Sequence, residues 1–211
     1  MSESAQVEAL EDGRLLFARE CSFVRGIASL DALPGTGLPE VAFAGRSNAG
    51  KSSLLNALTG RKTLARVSVT PGRTREINFF ELGGRLMLAD LPGYGYARVS
   101  KADSARWNDL IFAYLRGRPN LRRVVLLIDS RRGPMESDIA VMKLLDEAAV
   151  SYQMVLTKAD KPKATELAAI QAKVAAELAK HAAAYPQILS TSARFGSGIP
   201  ELRAAIASLA D

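Results

Sequence analysis

The sequence predicts an α/β fold with three layers, in which helices cover both faces of a mostly parallel sheet of six strands. Six short apolar runs alternate with longer stretches of helical periodicity, an alternation typical of parallel strands joined by helices. The Gly83-Gly84 pair between two of these runs predicts a tight hairpin, so one strand should run antiparallel to the others. A chain of 211 residues with 48% hydrophobic content can bury a sizeable core and suits one domain better than two.

The expected strands and helices follow one another in a regular order along the chain. The strands are expected at Val41–Ala44, Ile77–Leu82, Leu86–Ala89, Val124–Ile128, Gln153–Leu156 and Gln187–Leu189. The helices are expected at Lys51–Leu58, Asp103–Leu115, Glu136–Ala149, Ala164–Ala184 and Ile199–Leu209. A stretch rich in proline and glycine precedes the first strand and separates it from the N-terminal part of the chain. The alanine content of the fourth helix favours helix over disorder, because alanine has the highest helix propensity.

The N-terminal residues predict a mobile acidic tail over 1–14, followed by a single domain over 15–211 that begins with an edge segment at Leu15–Phe23. The tail is acidic where a secretory signal would be basic, and no apolar run is long enough to cross a bilayer. Cys21 is the only cysteine, so no intramolecular disulfide can form and the thiol is expected to be an inert apolar group. We therefore expect a cytoplasmic protein without membrane insertion.

A glycine-rich segment between the first strand and the first helix predicts a phosphate-binding loop. Its residues are Gly45, Arg46, Ser47, Asn48, Ala49, Gly50, Lys51 and Ser52. They match the P-loop pattern in the strand-to-helix context that the pattern requires. Backbone N–H groups of such a loop point at phosphate oxygens, and the following helix adds its positive N-terminal dipole. We expect Lys51 to reach the β- and γ-phosphates and the Ser52 hydroxyl to ligate Mg²⁺.

A second polar segment follows the hairpin, at the end of the third expected strand. Its residues are Asp90, Leu91, Pro92 and Gly93. In this place a carboxylate can face Mg²⁺ through water, and the Gly93 N–H can meet a γ-phosphate. After a P-loop and a hairpin, the segment therefore indicates a sensor of the third phosphate, whereas alone it would be an ordinary turn.

Two further segments indicate guanine as the base. Thr157, Lys158, Ala159 and Asp160 resemble the [N/T]KxD base-recognition motif of the TRAFAC-class GTPases. The Asp160 carboxylate can accept hydrogen bonds from guanine N1–H and the N2 amine, which adenine lacks in that arrangement. Thr157 stands where asparagine is commoner, which should remove a link between this loop and the P-loop. The last strand is followed by Thr191, Ser192 and Ala193, which resemble the final GTPase motif, whose backbone N–H meets guanine O6.

Five segments together, GRSNAGKSSLLNAL, TPGRTREINFF, DLPGYGYA, TKAD and TSA, resemble the EngB/YsxC (YihA) family of bacterial GTPases from about Val41 onward. The resemblance implies a P-loop GTPase fold of the Ras-like G-domain type. It also implies a first switch at Gly72, Arg73, Thr74, Arg75 and Glu76, with Thr74 as the second protein ligand to Mg²⁺. For function it implies a GTP- and GDP-binding molecular switch in assembly of the large ribosomal subunit, with a link to normal cell division and septation.

Hydrolysis of GTP is expected to be slow without a partner. Tyr94 follows the DLPG segment where other GTPases place a glutamine that orients the attacking water. No residue can be named as a certain catalytic group beyond the charge that Lys51 brings to the phosphates. In related potassium-activated GTPases, the position of Asn48 helps hold K⁺, and an asparagine that only stabilises the loop is the open alternative.

Basic residues and a net charge of +6 favour an anionic partner. The resemblance implies that this partner is the precursor of the large ribosomal subunit, with its rRNA and ribosomal proteins. The basic residues cluster around the first switch (Arg61, Lys62, Arg66, Arg73, Arg75), after the Asp90–Gly93 segment (Arg98, Lys101, Arg106) and mid-chain (Arg116, Arg118, Arg122, Arg123, Arg131, Arg132). Two alternatives stay open: a P-loop metabolic kinase, and a protein-binding switch of the division machinery that never touches RNA. A monomer is expected.

Overall fold

The apolar runs of the sequence lie side by side in one sheet. The computed structural model describes residues 2–61, 64, 76–95 and 101–210, and for 101–108 it describes the backbone alone. Within these ranges the strands are β1 (Cys21–Ile27), β2 (Glu40–Gly45), β3 (Ile77–Leu82), β4 (Leu86–Asp90), β5 (Leu121–Asp129), β6 (Tyr152–Thr157) and β7 (Ala184–Ser190). They are arranged in the order β1-β3-β4-β2-β5-β6-β7.

The sheet is parallel except for β3, which runs antiparallel to both of its neighbours, β1 and β4. Gly83 and Gly84 join β3 to β4 with φ angles of 58° and 67°, a left-handed turn that glycine adopts without a steric penalty. The predicted hairpin and the single reversed strand are therefore confirmed. The expected number of six strands is wrong, because β1 adds a seventh at the edge beside β3.

Six α-helices fall within the described ranges. They are α1 (Glu3–Ala18), α2 (Lys51–Thr59), α3 (Lys101–Gly117), α4 (Glu136–Glu147), α5 (Ala164–Leu178) and α6 (Ile199–Ala207). The expected extension of the fourth helix to Ala184 is wrong. Helix α5 ends at Leu178, and Ala184 instead begins β7 by pairing with Tyr152 of β6. Tertiary pairing here overrides the helix propensity of alanine.

The N-terminal residues form helix α1 instead of the mobile acidic tail expected over 1–14. Gly13, Leu16 and Phe17 are buried on one face of the helix and pack against α6. A Cβ atom on Gly13 would lie 2.5 Å from the backbone nitrogen of Ala204, so only glycine permits this close approach. The helix crosses the boundary proposed at residue 15, and its acidic side chains occupy the exposed face.

The core consists of two apolar layers, one on each face of the sheet. Strand β2 shows the division, since Val41 and Phe43 belong to one layer and Ala42 and Ala44 to the other. Residues of α1, α2 and α6 complete the first layer, and residues of α3, α4 and α5 complete the second. The three-layer α/β arrangement predicted from the sequence is confirmed. None of the described helices is both long and apolar enough to span a membrane.

A buried polar cluster holds the end of the sheet opposite the P-loop. Glu40, at the start of β2, accepts hydrogen bonds from Tyr114 at 2.5 Å and from Nη2 of Arg118 at 2.8 Å. Arg118 also donates from Nη1 to the carbonyl of Pro34 at 2.8 Å. Arg118 is therefore a buried structural cation, which corrects its expected place on the basic surface.

Candidate nucleotide-binding site

The loop between β2 and α2 has the curled backbone of a phosphate-binding loop. Helix α2 begins at Lys51, as predicted, and strand β2 ends at Gly45, one residue beyond the predicted end at Ala44. Asn48 and Gly50 have φ angles of 65° and 94°, which turn the chain back into the helix. A Cβ atom on Gly50 would contact the side chains of Lys158 and Thr157 at 3.5 and 3.7 Å, so the loop lies directly against the predicted base-recognition segment.

The ammonium group of Lys51 forms an ion pair with Oδ1 of Asp90, at the end of β4. Asp90 pairs in register with Phe43 of β2, which brings the carboxylate beside the P-loop. Both side chains are largely buried, with 13% and 4% of their surfaces exposed. The pair therefore keeps a cation next to a buried carboxylate at the point where Mg²⁺ and phosphates are expected to meet. A triphosphate would draw Lys51 toward its own oxygens.

The Asp90–Gly93 segment lies along the P-loop through backbone hydrogen bonds. Leu91 N donates to Phe43 O at 3.0 Å, and Tyr94 N donates to Gly45 O at 3.3 Å. Ser47 N in turn donates to Tyr94 O at 2.9 Å. A Cβ atom on Gly93 would lie 3.3 Å from Ser47 N, so Gly93 rests against the phosphate-binding loop.

Tyr94 does not point toward the phosphates. Its side chain is buried, and its hydroxyl donates a hydrogen bond of 2.8 Å to Oδ1 of Asp138 on α4. Burial is the main reason that the pKa of Tyr94 is raised well above its ordinary value, and the nearby Asp138 adds to the effect. The side chain thus packs inside the protein at the position where other GTPases place a water-orienting glutamine.

The base-recognition loop is tied to the P-loop by two side chains. Thr157 donates from its hydroxyl to Ala49 O at 2.5 Å, so threonine supplies the link that its replacement of asparagine was expected to remove. Lys158 donates from Nζ to Asn48 O at 2.6 Å and lies 2.9 Å from Oδ2 of Asp129. These contacts correct the expectation for Thr157 and fix the base loop relative to the phosphate loop.

Asp160 and Ser192 meet at the far end of this loop. The Ser192 hydroxyl donates a hydrogen bond of 2.6 Å to Oδ1 of Asp160, and Ala159 N donates to Thr191 O at 3.0 Å. The hydrogen bond from Ser192 lowers the pKa of Asp160, so the carboxylate is ionised at neutral pH. The structure thus brings Thr157–Asp160 together with Thr191–Ala193, and it holds an acceptor ready for the donors of guanine.

Asp129, at the end of β5, is a site residue that sequence reasoning missed. Burial raises the pKa of its carboxyl, but hydrogen bonds from Arg131 and Lys158 outweigh this effect and hold the pKa well below its usual range. Asp129 thereby orients Lys158, whose stem is expected to lie along the base. Its position at the carboxyl end of a central parallel strand could have revealed it, because ligands bind at that edge of open α/β sheets.

The predicted site is only partly covered by the described residues. Glu76 is described and exposed, and its carboxylate lies against Gly26 of β1. Outside the described residues lie Gly72, Arg73, Thr74 and Arg75 of the first switch. Within the described ranges, no group of three or more His, Cys, Asp or Glu side chains forms a metal cluster. Mg²⁺ bound with nucleotide phosphates needs only one or two protein oxygens, and Ser52 and Asp90 are of that type.

The mid-chain arginines do not share one surface. Arg131 and Arg132 are exposed beside the P-loop and line a cavity of about 120 Å³ with Arg46, Ser47 and Asn48. Arg116, Arg122 and Arg123 lie at the opposite end of the sheet, so the expectation of a continuous basic pattern is corrected. Arg61 is exposed after α2. Lys62, Arg66, Arg73, Arg75 and Arg98, and the side chains of Lys101 and Arg106, lie outside the described residues.

The chain is similar to known GTP-binding proteins. A family model described as a 50S ribosome-binding GTPase matches residues 40–158, and one described as the elongation factor Tu GTP binding domain matches residues 114–211. The chain is 61% identical over 213 aligned residues to a "Probable GTP-binding protein EngB" of Rhodospirillum rubrum, covering 99% of this chain and 92% of the relative. A relative of the same name from Rhodopseudomonas palustris is 53% identical, and the alignment covers 100% of this chain and 99% of the relative.

Solved structures show the same likeness. The crystal structure of a probable GTP-binding protein engB has a TM-score of 0.62 at 28% identity, covering 81% of this chain and 97% of that one. The Era protein of Aquifex aeolicus bound to GDP.AlF4- also has a TM-score of 0.62, at 20% identity, covering 82% of this chain and 57% of that one. At that identity the second likeness concerns the fold alone.

Proposed function

Because this chain belongs to the EngB family of GTP-binding proteins and is a GTPase, we propose that it acts as a GTP-driven switch in assembly of the large ribosomal subunit. The observation that supports the switch is the attachment of the Asp90–Gly93 segment to the P-loop through the next residue, Tyr94. Tyr94 N donates to Gly45 O, and Ser47 N donates to Tyr94 O. Through these bonds, a γ-phosphate held by the P-loop would act directly on the Asp90–Gly93 segment, the expected sensor of the third phosphate.

In the nucleotide-bound state, each part of the site has a distinct role. Lys51 would leave Asp90 for the β- and γ-phosphates, and the Ser52 hydroxyl and Thr74 would hold Mg²⁺, with Asp90 acting through water. The backbone N–H of Gly93 would meet the γ-phosphate. Asp160, oriented by Ser192, would select guanine. Bound Mg²⁺ would offset the negative charge of the phosphates.

Slow intrinsic hydrolysis follows from the position of Tyr94. Its hydroxyl is bound to Asp138 inside the protein, so it cannot orient an attacking water. Stimulation therefore comes from a partner or from K⁺, and Asn48 is the residue that would hold the ion. Asn48 suits this role because its side chain is exposed and its backbone forms a left-handed turn within the phosphate-binding loop.

The ribosomal part of the proposal is supported by the family model, whose description is a 50S ribosome-binding GTPase. The net charge of +6 and the exposed residues Arg61, Arg131 and Arg132 favour contact with rRNA phosphates. The protein would work in the cytoplasm as a monomer, and the family resemblance extends the proposal to normal cell division and septation.

Co-sedimentation with ribosomal particles tests the proposed function. Purified protein is mixed with large-subunit precursors in the presence of GDP or a non-hydrolysable GTP analogue, at several salt concentrations. We expect more protein in the pellet with the analogue and a decline with salt, because phosphate contacts release counterions. No association in either state would contradict the ribosomal role and favour a protein-binding switch of the division machinery.

A further inference from the structure

Tyr94 connects the γ-phosphate side of the site to the start of helix α4. Its main chain is fixed to the P-loop by the bonds to Gly45 and Ser47, and its side chain is fixed to α4 by the bond to Asp138. Tyr94 therefore joins the P-loop to α4, and its hydrogen-bond partner Asp138 lies 44 positions further along the chain.

The acceptor of this bond is itself held in place. Asp138 is almost completely buried, and its second oxygen, Oδ2, accepts the N–H of Met135 at 2.8 Å, at the first turn of α4. A carboxylate bound through both oxygens cannot follow Tyr94 if that residue moves. The hydroxyl of Tyr94 is thus attached to a fixed point.

Gly95, the residue after Tyr94, also lies between the P-loop and α4. It has a φ angle of 76°, which glycine adopts without a steric penalty. A Cβ atom on Gly95 would lie 3.3 Å from Nε of Arg46 in the P-loop and 3.7 Å from the hydroxyl of Ser137 on α4. The charge of Arg46 also faces Asp138 and Tyr94.

We infer that Tyr94 is a positioning residue that holds the Gly93 N–H at the place where a γ-phosphate is read, by tying its hydroxyl to Asp138. The inference rests on the proposed role of Gly93 in the switch. It assigns a task to the aromatic side chain that stands in place of the water-orienting glutamine. Without the hydroxyl, the main-chain bonds of Tyr94 to the P-loop would remain, but the segment that carries Gly93 would lose its attachment to α4.

Tyr114 offers a matched control for the test. It is also a buried tyrosine whose hydroxyl donates to a buried carboxylate, at 2.5 Å to Glu40, but it lies at the opposite end of the sheet. Tyr94→Phe and Tyr114→Phe each remove one buried hydroxyl. A purely structural role for Tyr94 predicts that the two variants behave alike.

The measurement is the dissociation constant of a non-hydrolysable GTP analogue and of GDP, both with Mg²⁺, by calorimetry on wild type and variants. We expect Tyr94→Phe to weaken analogue binding by about five- to tenfold, the effect of one buried hydrogen bond, and to change GDP binding less than about twofold. Tyr114→Phe should leave the ratio of the two constants unchanged. Asp138→Asn should change the ratio of the two constants in the same direction as Tyr94→Phe. The double variant should differ little from either single variant, because both changes remove the same hydrogen bond.

Amide exchange of Leu91–Gly95 in the two nucleotide states separates the ways in which the inference can fail. The inference is supported if the analogue slows amide exchange relative to GDP in wild type and does not slow it in Tyr94→Phe. If wild type exchanges equally in both states, the proposed switch is wrong and the inference falls with it. If the analogue slows exchange equally in wild type and in Tyr94→Phe, the switch stands but the role of Tyr94 is overturned. The same holds if Tyr94→Phe and Tyr114→Phe change the ratio of the two dissociation constants alike.

Discussion

The hydroxyl of Ser192 donates a 2.6 Å hydrogen bond to Oδ1 of Asp160, and it thereby orients the carboxylate that is expected to select guanine. The same bond lowers the pKa of Asp160. We therefore expect base selection to depend on this pair of side chains, which follow two different strands, β6 and β7. Specificity should respond to either partner.

Replacing either member of this pair should weaken guanine binding by different amounts. Asp160→Asn should weaken GDP binding by about 10- to 100-fold, since an amide cannot accept both hydrogen bonds from guanine. Ser192→Ala should cost about three- to tenfold through the lost orientation of the carboxylate. Calorimetry with GDP measures both, and Ser208→Ala, which removes an exposed hydroxyl at the end of α6, is the control. Equal affinities of Ser192→Ala and wild type would contradict an orienting role.

Thr157 should contribute to nucleotide affinity through its bond to Ala49. Thr157→Val has nearly the same shape but lacks the donor, so the Ala49 carbonyl loses a buried partner. We expect a loss of about 1 kcal/mol in unfolding free energy and about fivefold in GDP affinity. Thr157→Asn, which restores a donor, should recover part of the affinity. Urea titration measures the unfolding free energy, and calorimetry measures the GDP affinity. Values for Thr157→Val equal to those of wild type would show that the bond is dispensable.

Potassium should accelerate hydrolysis if Asn48 holds the ion beside the phosphates. GTP turnover by purified protein is compared in potassium and sodium buffers of equal ionic strength, for wild type and Asn48→Ala. We expect about tenfold faster turnover in potassium for wild type, the scale of one favourable electrostatic contact to the transition state, and no difference for the variant. Equal turnover rates of wild type in the two buffers would contradict a role for Asn48 as a potassium ligand.

The buried ion pair between Arg118 and Glu40 should stabilise the fold without affecting nucleotide binding. Arg118→Met leaves the Glu40 carboxylate buried without its cation, so we expect a loss of about 3 to 5 kcal/mol in unfolding free energy. GDP affinity should stay within about twofold, because the pair lies at the end of the sheet away from the P-loop. Urea unfolding provides the first value and calorimetry the second. A large loss of affinity in folded Arg118→Met would show that the two ends of the sheet are coupled.

Cys21 should be unreactive in the native protein at neutral and mildly basic pH. Burial raises the pKa of its thiol to about 11, while an unfolded thiol ionises near pH 8.5, about its usual value. A raised folded pKa contributes stability that is complete below the unfolded value and is lost as the pH rises through the folded one. Thiol labelling at pH 8 should therefore be slow in native protein and fast in urea. Rapid labelling of the native protein would contradict the burial.

The sequence predicted the central part of the fold because its signals there are local. The Ile77–Leu82 run is bounded by a paired glycine turn, and the P-loop pattern fixes both its strand and its helix. Strand β1 was missed because its central residues are exposed, so Phe23 and Val24 do not show the alternation of a half-buried strand. Helix α1 was missed because its few apolar residues are buried only by packing against α6, which is far away in the sequence. Long-range contacts of this kind leave no short pattern.

In the candidate site, the residues that are expected to contact a ligand were predictable, and those that support them were not. Lys51, Asp90 and Asp160 lie in segments with recognisable spacing. Asp129 and Asp138 were not expected, because each acts through another side chain that lies close only after folding. The consequence of Thr157 was misjudged for the same reason, since its acceptor is a main-chain carbonyl 108 positions away.

The packing of α1 against α6 has a consequence for synthesis of the protein on the ribosome. Helix α1 is synthesised well before residues 199–207, which form part of the surface that covers Leu16 and Phe17. Until those residues have been made, the apolar side of α1 lacks its partner and is exposed to water and to chaperones. Packing of α1 into its layer therefore has to wait for the synthesis of α6.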